Sequence, residues 1–208
     1  MWRTALLCVL LALGGYAGAA WLTHDFQAWT AEGSRRLEVA LAPVPVPPVL
    51  VEGPQLPAGP LTRVLGAGAP VTIVYFVYTR CETVCLSLGG TFQQLQAALE
   101  ADPGAPRVQL LSVSFDPRDS SADLQAYAAR LKAQPQHWRF VRGVDPRQTQ
   151  ALLDAFQVVV VPDGRSDFEH NAALLVVDRR GRLVRVFDIG EQELALNYAR
   201  HLAQRSDS

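Results

Sequence analysis

Apolar residues follow different spacings in different parts of the chain, and each spacing predicts a different element. Residues 4–22 are apolar throughout, and the run is about as long as a membrane-spanning helix. Residues 71–78 and 108–115 are short apolar runs rich in β-branched side chains, which is typical of buried central strands. Between them, over residues 82–100, apolar residues recur at intervals of three and four and predict a helix. The alternation of strand and helix predicts an α/β domain.

Helix caps and turn residues predict the later elements. Ser120 with Asp123 forms a capping-box pattern at the start of one helix, and Asp145 followed by Pro146 starts another. The remaining predicted elements are a strand at 138–141, a hairpin of strands at 172–177 and 183–189, and a closing helix at 191–204. This order of strands and helices, ending in a hairpin and a helix, predicts a thioredoxin-like fold for residues 61–208.

The N-terminal apolar run predicts a single-pass membrane anchor at residues 1–22. Because Arg3 precedes the run, we expect the N-terminus in the cytoplasm and the rest of the chain on the exported side. In a bacterium, that means the inner membrane, with the domain facing the oxidising periplasm. A cleaved signal peptide is the alternative, because residues 17–19 resemble a cleavage site. We favour the anchor, because the run is longer than the apolar region of a typical signal peptide.

Residues 23–60 are predicted to connect the anchor to the domain. Residues 24–41 are expected to form a short helix beside the membrane, with Phe26, Trp29 and Leu37 near the lipid surface. Residues 42–60 contain seven prolines, which predict an extended, semi-rigid linker of about 3 Å per residue. Such a linker would keep the domain tens of ångströms from the bilayer.

The charge of the chain argues against one class of partner. The 208 residues carry a net charge of −1, and no long cluster of Lys and Arg is present. Nucleic-acid binding normally requires a basic surface, so we expect no nucleic-acid partner.

Cys81 and Cys85 are the candidate reactive residues, because they follow the first central strand directly. Residues four apart on a helix have Cβ atoms about 5–6 Å apart, whereas a disulfide needs about 3.5–4.5 Å. One metal ion bound by both thiolates tolerates the wider separation. A disulfide between the two cysteines remains an alternative if the first helical turn distorts. Such a disulfide would be easily reduced. The pair is therefore interpreted as a redox-active pair or as two ligands of a soft metal.

His170 is the candidate third ligand. It follows a polar loop at 162–168 and precedes the predicted hairpin, and in a thioredoxin-like sheet that loop approaches the cysteines. Thiolates hold Cu(I), and an imidazole helps to accommodate Cu(II), so Cys81, Cys85 and His170 together suit copper. The other histidines are interpreted as surface residues or as residues with satisfied hydrogen bonds: His24, His137 and His201.

Several short motifs occur in an order that carries a family resemblance. They are Phe76-Val77-Tyr78-Thr79-Arg80-Cys81, then Cys85, Ser114-Phe115-Asp116-Pro117 with Asp119, His170, and Val176-Val177-Asp178-x-x-Gly181. Over residues 71–200 the chain resembles the Sco family of copper proteins. The resemblance implies a thioredoxin fold, membrane anchoring and copper ligands at Cys81, Cys85 and His170. It also implies copper delivery to the binuclear copper site of cytochrome c oxidase subunit II, or a related copper protein, and a role in reducing the cysteines of that site.

The chain departs from the family pattern at three positions and in one segment. The hairpin that the family normally has before the first central strand is barely recognisable between residues 50 and 69. Glu82 and Leu86 stand where the family usually has proline after each cysteine, and Glu169 stands where it usually has Asp. The negative charge of Glu82 beside the thiols disfavours thiolate formation.

Competing functions remain open from the sequence. The first is a copper-binding assembly factor, which is not an enzyme that turns over a substrate. The alternative is a periplasmic thiol–disulfide oxidoreductase without copper delivery. A thioredoxin-like peroxidase is the weakest, because no residues can be assigned to peroxide activation. His170 discriminates between the first two, since copper binding uses a third ligand and disulfide exchange does not.

Overall fold

The computed structural model describes residues 2–54, 56–80, 84–105, 107–162 and 168–206, with the side chains of residues 84–88, 169, 170 and 206 excepted. Its α-helices are α1 (Trp2–Leu22), α2 (Ala31–Leu41), α3 (Leu61–Gly66), α4 (Val84–Glu100), α5 (Ser121–Arg130), α6 (Pro146–Ala155) and α7 (Gln192–Ser206). Its strands are β1 (Val44–Pro45), β2 (Leu50–Gly53), β3 (Leu56–Pro60), β4 (Val71–Val77), β5 (Val108–Ser114), β6 (Trp138–Gly143), β7 (Val160–Pro162), β8 (Phe168–His170), β9 (Ala173–Asp178) and β10 (Arg182–Asp188).

Within the described ranges, most strands form one sheet of eight, in the order β1-β10-β9-β4-β5-β6-β2-β3. Strands β4, β5 and β6 are parallel, and β4 pairs with β5 from Val71↔Val108 to Val77↔Ser114. Every residue of β4 and β5 is buried, as expected of parallel strands with both faces covered. Because β4 and β5 are parallel and in register, the segments after Val77 and Ser114 leave the same edge of the sheet.

The cap signals in the sequence correctly predicted where α5 and α6 begin. The Ser120 side chain accepts a hydrogen bond from the Asp123 backbone N–H, and the Asp123 carboxylate accepts one from the Ser120 N–H. The Asp145 side chain accepts from the Arg147 backbone N–H at the start of α6. These bonds satisfy N–H groups that lack partners within the helix.

The prediction of an extended linker at 42–60 is wrong. Strand β1 pairs with β10, and β2 pairs with both β3 and β6. Val49 and Val51 are buried in the core. The prolines do not prevent this pairing, because the strands that contain them, β1 and β3, are the outermost strands, where a missing N–H costs little. The central strand of this segment, β2, contains no proline.

The helix predicted beside the membrane begins later than expected and packs against the domain. Helix α2 starts after Thr30 and buries Arg35 and Val39. The Arg35 guanidinium donates to the carbonyl oxygen of Phe156 at 2.8 Å, at the end of α6. Arg36 forms an ion pair with Asp188 at 2.7 Å. The globular part therefore includes α2, and we correct the predicted start of the domain at residue 61.

Helix α1 remains a candidate membrane span. It has a mean hydropathy of 2.0 over an 18-residue window, none of which is buried in the structure. Residues 23–30 connect it to α2. The chain folds back within this segment, where the backbone N–H of Ala28 donates to the Thr23 carbonyl oxygen at 2.9 Å. The connection is therefore short and folded, which removes the predicted arm between anchor and domain.

Candidate functional site

The three predicted site residues lie partly outside the described structure. Cys81 falls outside the described residues. The backbone of Cys85 lies in the first turn of α4, and His170 is the last residue of β8. The side chains of both residues lie outside the described part of the structure. Among the described residues, no group of three His, Cys, Asp or Glu side chains is placed to hold a metal. The site is therefore built from the residues that surround these positions.

Strand β8 pairs with β7, an element that the sequence did not predict. Their register joins Val160 to His170 and Pro162 to Phe168. Proline at one end and a three-residue length give little strand signal in the sequence. The pairing fixes the backbone of His170 next to that of Val160.

Three aromatic side chains join the ends of β4 and β5 to the start of β8. The Tyr78 hydroxyl donates to the carbonyl oxygen of Phe168 at 3.3 Å. The rings of Tyr78 and Phe168 lie 5.2 Å apart between centroids, and each lies 5.4 Å from the ring of Phe115. Such edge and tilted contacts add stability beyond simple burial. The segment that leads to Cys81 is thus packed against the segment that leads to His170.

The buried carboxylate of Asp119 holds the chain as it leaves β4. Its Oδ1 accepts from the Thr79 hydroxyl at 2.7 Å, and its Oδ2 accepts from the Thr79 backbone N–H at 3.0 Å. The same Oδ2 accepts from the Ser114 hydroxyl at 2.6 Å. Because Thr79 lies two residues before Cys81, these bonds fix the direction in which the chain enters the cysteine segment.

A second buried carboxylate, Asp116, is paired with two arginines. Arg118 binds it through two nitrogens, with Nε to Oδ1 at 2.9 Å and Nη2 to Oδ2 at 2.8 Å. Arg80, the residue before Cys81, lies 3.3 Å from Oδ2. The Asp116 side chain is fully buried, whereas those of Arg80 and Arg118 are 48% and 41% exposed. The exposed part of this cluster is therefore made of the two guanidinium groups, whose charges are balanced by the buried carboxylates of Asp116 and Asp119.

Asp116 and Asp119 belong to the sequence motifs quoted above, but the sequence alone indicated no role for Tyr78, Arg80, Arg118 or Phe168. One available signal was position, because polar residues that directly follow two buried parallel strands must meet at the same edge of the sheet. No local signal indicated that Phe168 would contact Tyr78, since the two lie 90 residues apart.

Burial by itself raises the pKa of Asp116, but hydrogen bonds from Arg118 and the charges of Arg118 and Arg80 outweigh it and hold the pKa below 3.8.

A carboxyl group whose pKa is lower in the folded state stabilises the fold above its unfolded pKa, and this contribution is lost as the pH falls through the folded value. We expect Asp116→Asn to lower the free energy of unfolding near neutral pH, and the difference from wild type to shrink below pH 3.8. Urea unfolding at several pH values measures this difference. If the difference in free energy of unfolding between wild type and Asp116→Asn did not change with pH, the lowered pKa of Asp116 would be contradicted.

Comparison with known proteins assigns the chain to a family. Residues 66–204, which include the two cysteines, the aspartates and His170, match the family model described as SCO1/SenC. The chain belongs to the SCO1/SenC family. A curated SCO1 protein homolog of Bacillus subtilis is 26% identical over 121 residues, which cover 57% of this chain and 62% of that protein. The match with this relative therefore spans less than two thirds of the relative's length.

Solved structures confirm the thioredoxin-like fold predicted for this SCO1/SenC protein. BsSco, described as a member of the Sco family of cytochrome c oxidase assembly proteins, has a TM-score of 0.66 at 20% identity, covering 78% of this chain and 95% of that structure. ScoI of Bradyrhizobium japonicum, solved with copper bound, has a TM-score of 0.61 at 24% identity, covering 76% and 99%.

Proposed function

We propose that this SCO1/SenC protein is a copper-binding assembly factor of cytochrome c oxidase, with Cys81, Cys85 and His170 as ligands of one copper ion. The family membership supports this function, because BsSco is described as an assembly protein and ScoI was solved with copper bound. The donor set also suits the metal, since two thiolates hold Cu(I) and an imidazole adds a donor that Cu(II) prefers.

The contact between Tyr78 and Phe168 is the observation that carries the proposal. Only two residues separate Tyr78 from Cys81 in the sequence, and a chain extends by at most about 3.6 Å per residue. By the same limit, the Cα of His170 lies within about 7 Å of that of Phe168. Both ligand segments therefore start from one packed contact, 5.2 Å between ring centroids. The Asp119 hydrogen bonds to Thr79 further restrict where the first segment leads.

The proposed acceptor is the binuclear copper site of cytochrome c oxidase subunit II, and the proposal extends to reduction of that site's cysteines by the same pair. Helix α1 is proposed to anchor the chain with its domain on the exported side, which is the periplasm in a bacterium. Tethering donor and acceptor in one membrane raises the effective concentration at which they meet. The short connection at 23–30 supports a domain that works close to the bilayer.

His170→Ala tests the ligand set. We expect the affinity for Cu(II) to fall by about 100-fold or more, because Cu(II) prefers nitrogen or oxygen donors in addition to thiolates. The affinity for Cu(I) should change much less, since two thiolates alone hold Cu(I). Titration of the full chain in detergent micelles, with Cu(I) under reducing conditions and with Cu(II), measures both affinities against a competing chelator.

His201→Ala is the matched control, because His201 lies exposed on α7 and should leave both affinities unchanged. Thiol–disulfide exchange should survive in both variants, since it needs the two cysteines and no histidine. Equal loss of both copper affinities, or loss of neither, would contradict the role of His170. A chain that exchanges disulfides but binds no copper would instead be a thiol–disulfide oxidoreductase.

A further inference from the structure

Asn171, the residue after His170, bonds to the segment between α6 and β7. Its side-chain Oδ1 accepts from the Val159 backbone N–H at 2.7 Å, and its Nδ2 donates to the carbonyl oxygen of Gln157 at 3.0 Å. Its backbone N–H also donates to the Val159 carbonyl at 3.3 Å. One residue thus makes three bonds to backbone groups on both sides of Val158.

These bonds continue the pairing of β7 with β8 beyond its last register pair. That pair joins Val160 to His170, so the regular pairing ends at the proposed ligand. A two-stranded sheet of three residues per strand is marginally stable by itself. Gln157 has a left-handed backbone, with φ of 52°, and is not part of the strand. The Asn171 side chain therefore supplies hydrogen bonds that a longer strand would otherwise make.

Both ends of β8 are consequently fixed to the rest of the domain. At the start, the carbonyl of Phe168 accepts from Tyr78, and the Arg118 guanidinium lies over the Phe168 ring at 5.5 Å. At the end, Asn171 is bonded to a segment whose first carbonyl, that of Phe156, is held by the buried Arg35. Because successive strand residues face opposite sides, a slip of one residue would reverse the side on which His170 is presented.

We propose that Asn171 is a positioning residue for the copper site: its side-chain amide fixes the backbone at His170 and so determines where the imidazole is presented to copper. This inference rests on the proposed function, since it assumes that His170 is a ligand. Asn171 itself does not need to contact the metal. Residues that orient metal ligands typically change metal affinity by about 10–100-fold when they are replaced.

The test compares Asn171→Ala and Asn171→Asp with wild type, using the full chain in detergent micelles. Asn171→Asp keeps the size of the side chain and an acceptor for the Val159 N–H, but it places a carboxylate oxygen against the Gln157 carbonyl. We expect both variants to bind Cu(II) about 10–100-fold more weakly, with an altered Cu(II) electron paramagnetic resonance spectrum. Cu(I) affinity and thiol–disulfide exchange should stay close to wild type. Gln150→Ala is the control, because the exposed Gln150 amide bonds to Asp154 within α6.

The outcomes separate this inference from the proposed function. If wild type binds Cu(II) through His170 but both Asn171 variants bind Cu(II) with the wild-type affinity and spectrum, the inference is overturned and the proposed function stands. If wild type binds no copper, or if His170→Ala has no effect, the proposed function fails and this inference fails with it. A parallel loss of Cu(I) affinity, exchange rate and thermal stability would show a general structural role and also overturn the inference. If Asn171→Ala does not fold, Asn171→Asp decides.

Discussion

Deleting residues 2–60 is expected to lower the free energy of unfolding by at least about 3 kcal/mol, out of a typical total of about 5–15 kcal/mol. Deleting only residues 2–22 should leave it nearly unchanged. The longer deletion removes the buried Val39, Val49 and Val51, each of which contributes about 1.5–3 kcal/mol by burial. The shorter one removes only α1, which has no buried residue.

The longer deletion also uncovers the edges of β6 and β10, which pair with β2 and β1 in the intact chain. Unpaired edges promote aggregation, so we expect this variant to be less soluble as well. Urea unfolding followed by far-ultraviolet circular dichroism compares the two deletions. The shorter variant should also leave the membrane fraction if α1 is the anchor. Equal stability of both deletions would show that residues 31–60 contribute little to the domain.

A point substitution separates the effect of β2 from that of a large deletion. In the full chain, Val51→Ala removes buried apolar atoms from the central strand of this segment and should cost about 1–3 kcal/mol. Val44→Ala, in the partly exposed strand β1, should cost less. Similar costs at both positions would contradict the burial argument.

Asp119→Ala is expected to lower the free energy of unfolding by about 2–4 kcal/mol, because it leaves buried donors without an acceptor. The donors are the backbone N–H and hydroxyl of Thr79 and the hydroxyl of Ser114. Since Thr79 precedes the cysteine segment, we also expect weaker binding of both Cu(I) and Cu(II). This pattern differs from that of His170→Ala, which should affect mainly Cu(II). Chemical unfolding and chelator competition measure the two effects.

Asp123→Ala is the matched control for Asp119→Ala. Asp123 lies four residues further on and is exposed, and its carboxylate caps α5 through Ser120. Its loss should cost only about 0.5–1 kcal/mol and leave copper binding unchanged. If Asp119→Ala were no more costly than Asp123→Ala, the hydrogen bonds to Thr79 would not be what fixes the exit of β4.

The candidate site was partly predictable from the sequence. Cysteine and histidine are chemically distinctive, so Cys81, Cys85 and His170 could be chosen as copper ligands from residue type and position, and that choice remains a prediction. The residues that surround them could not be chosen in this way. The bonds that Thr79 donates to Asp119 and that Tyr78 donates to Phe168 join residues 40 and 90 positions apart, and neither pair has a local pattern.

The sequence by itself determined the central strands, the helix caps and the order of elements from β4 to α6 and from β9 to α7, because these depend on neighbouring residues. Continuous apolar runs specified β4 and β5, and Ser120 with Asp123 specified the start of α5. Only the tertiary structure decided the fate of residues 31–60 and of β7 and β8. Prolines argue against a strand when only the local sequence is considered, although an edge strand tolerates them. A three-residue strand has too few positions to show alternation. Their pairing depends on β6, β10 and Asn171, which lie far away in the sequence or outside the strand itself.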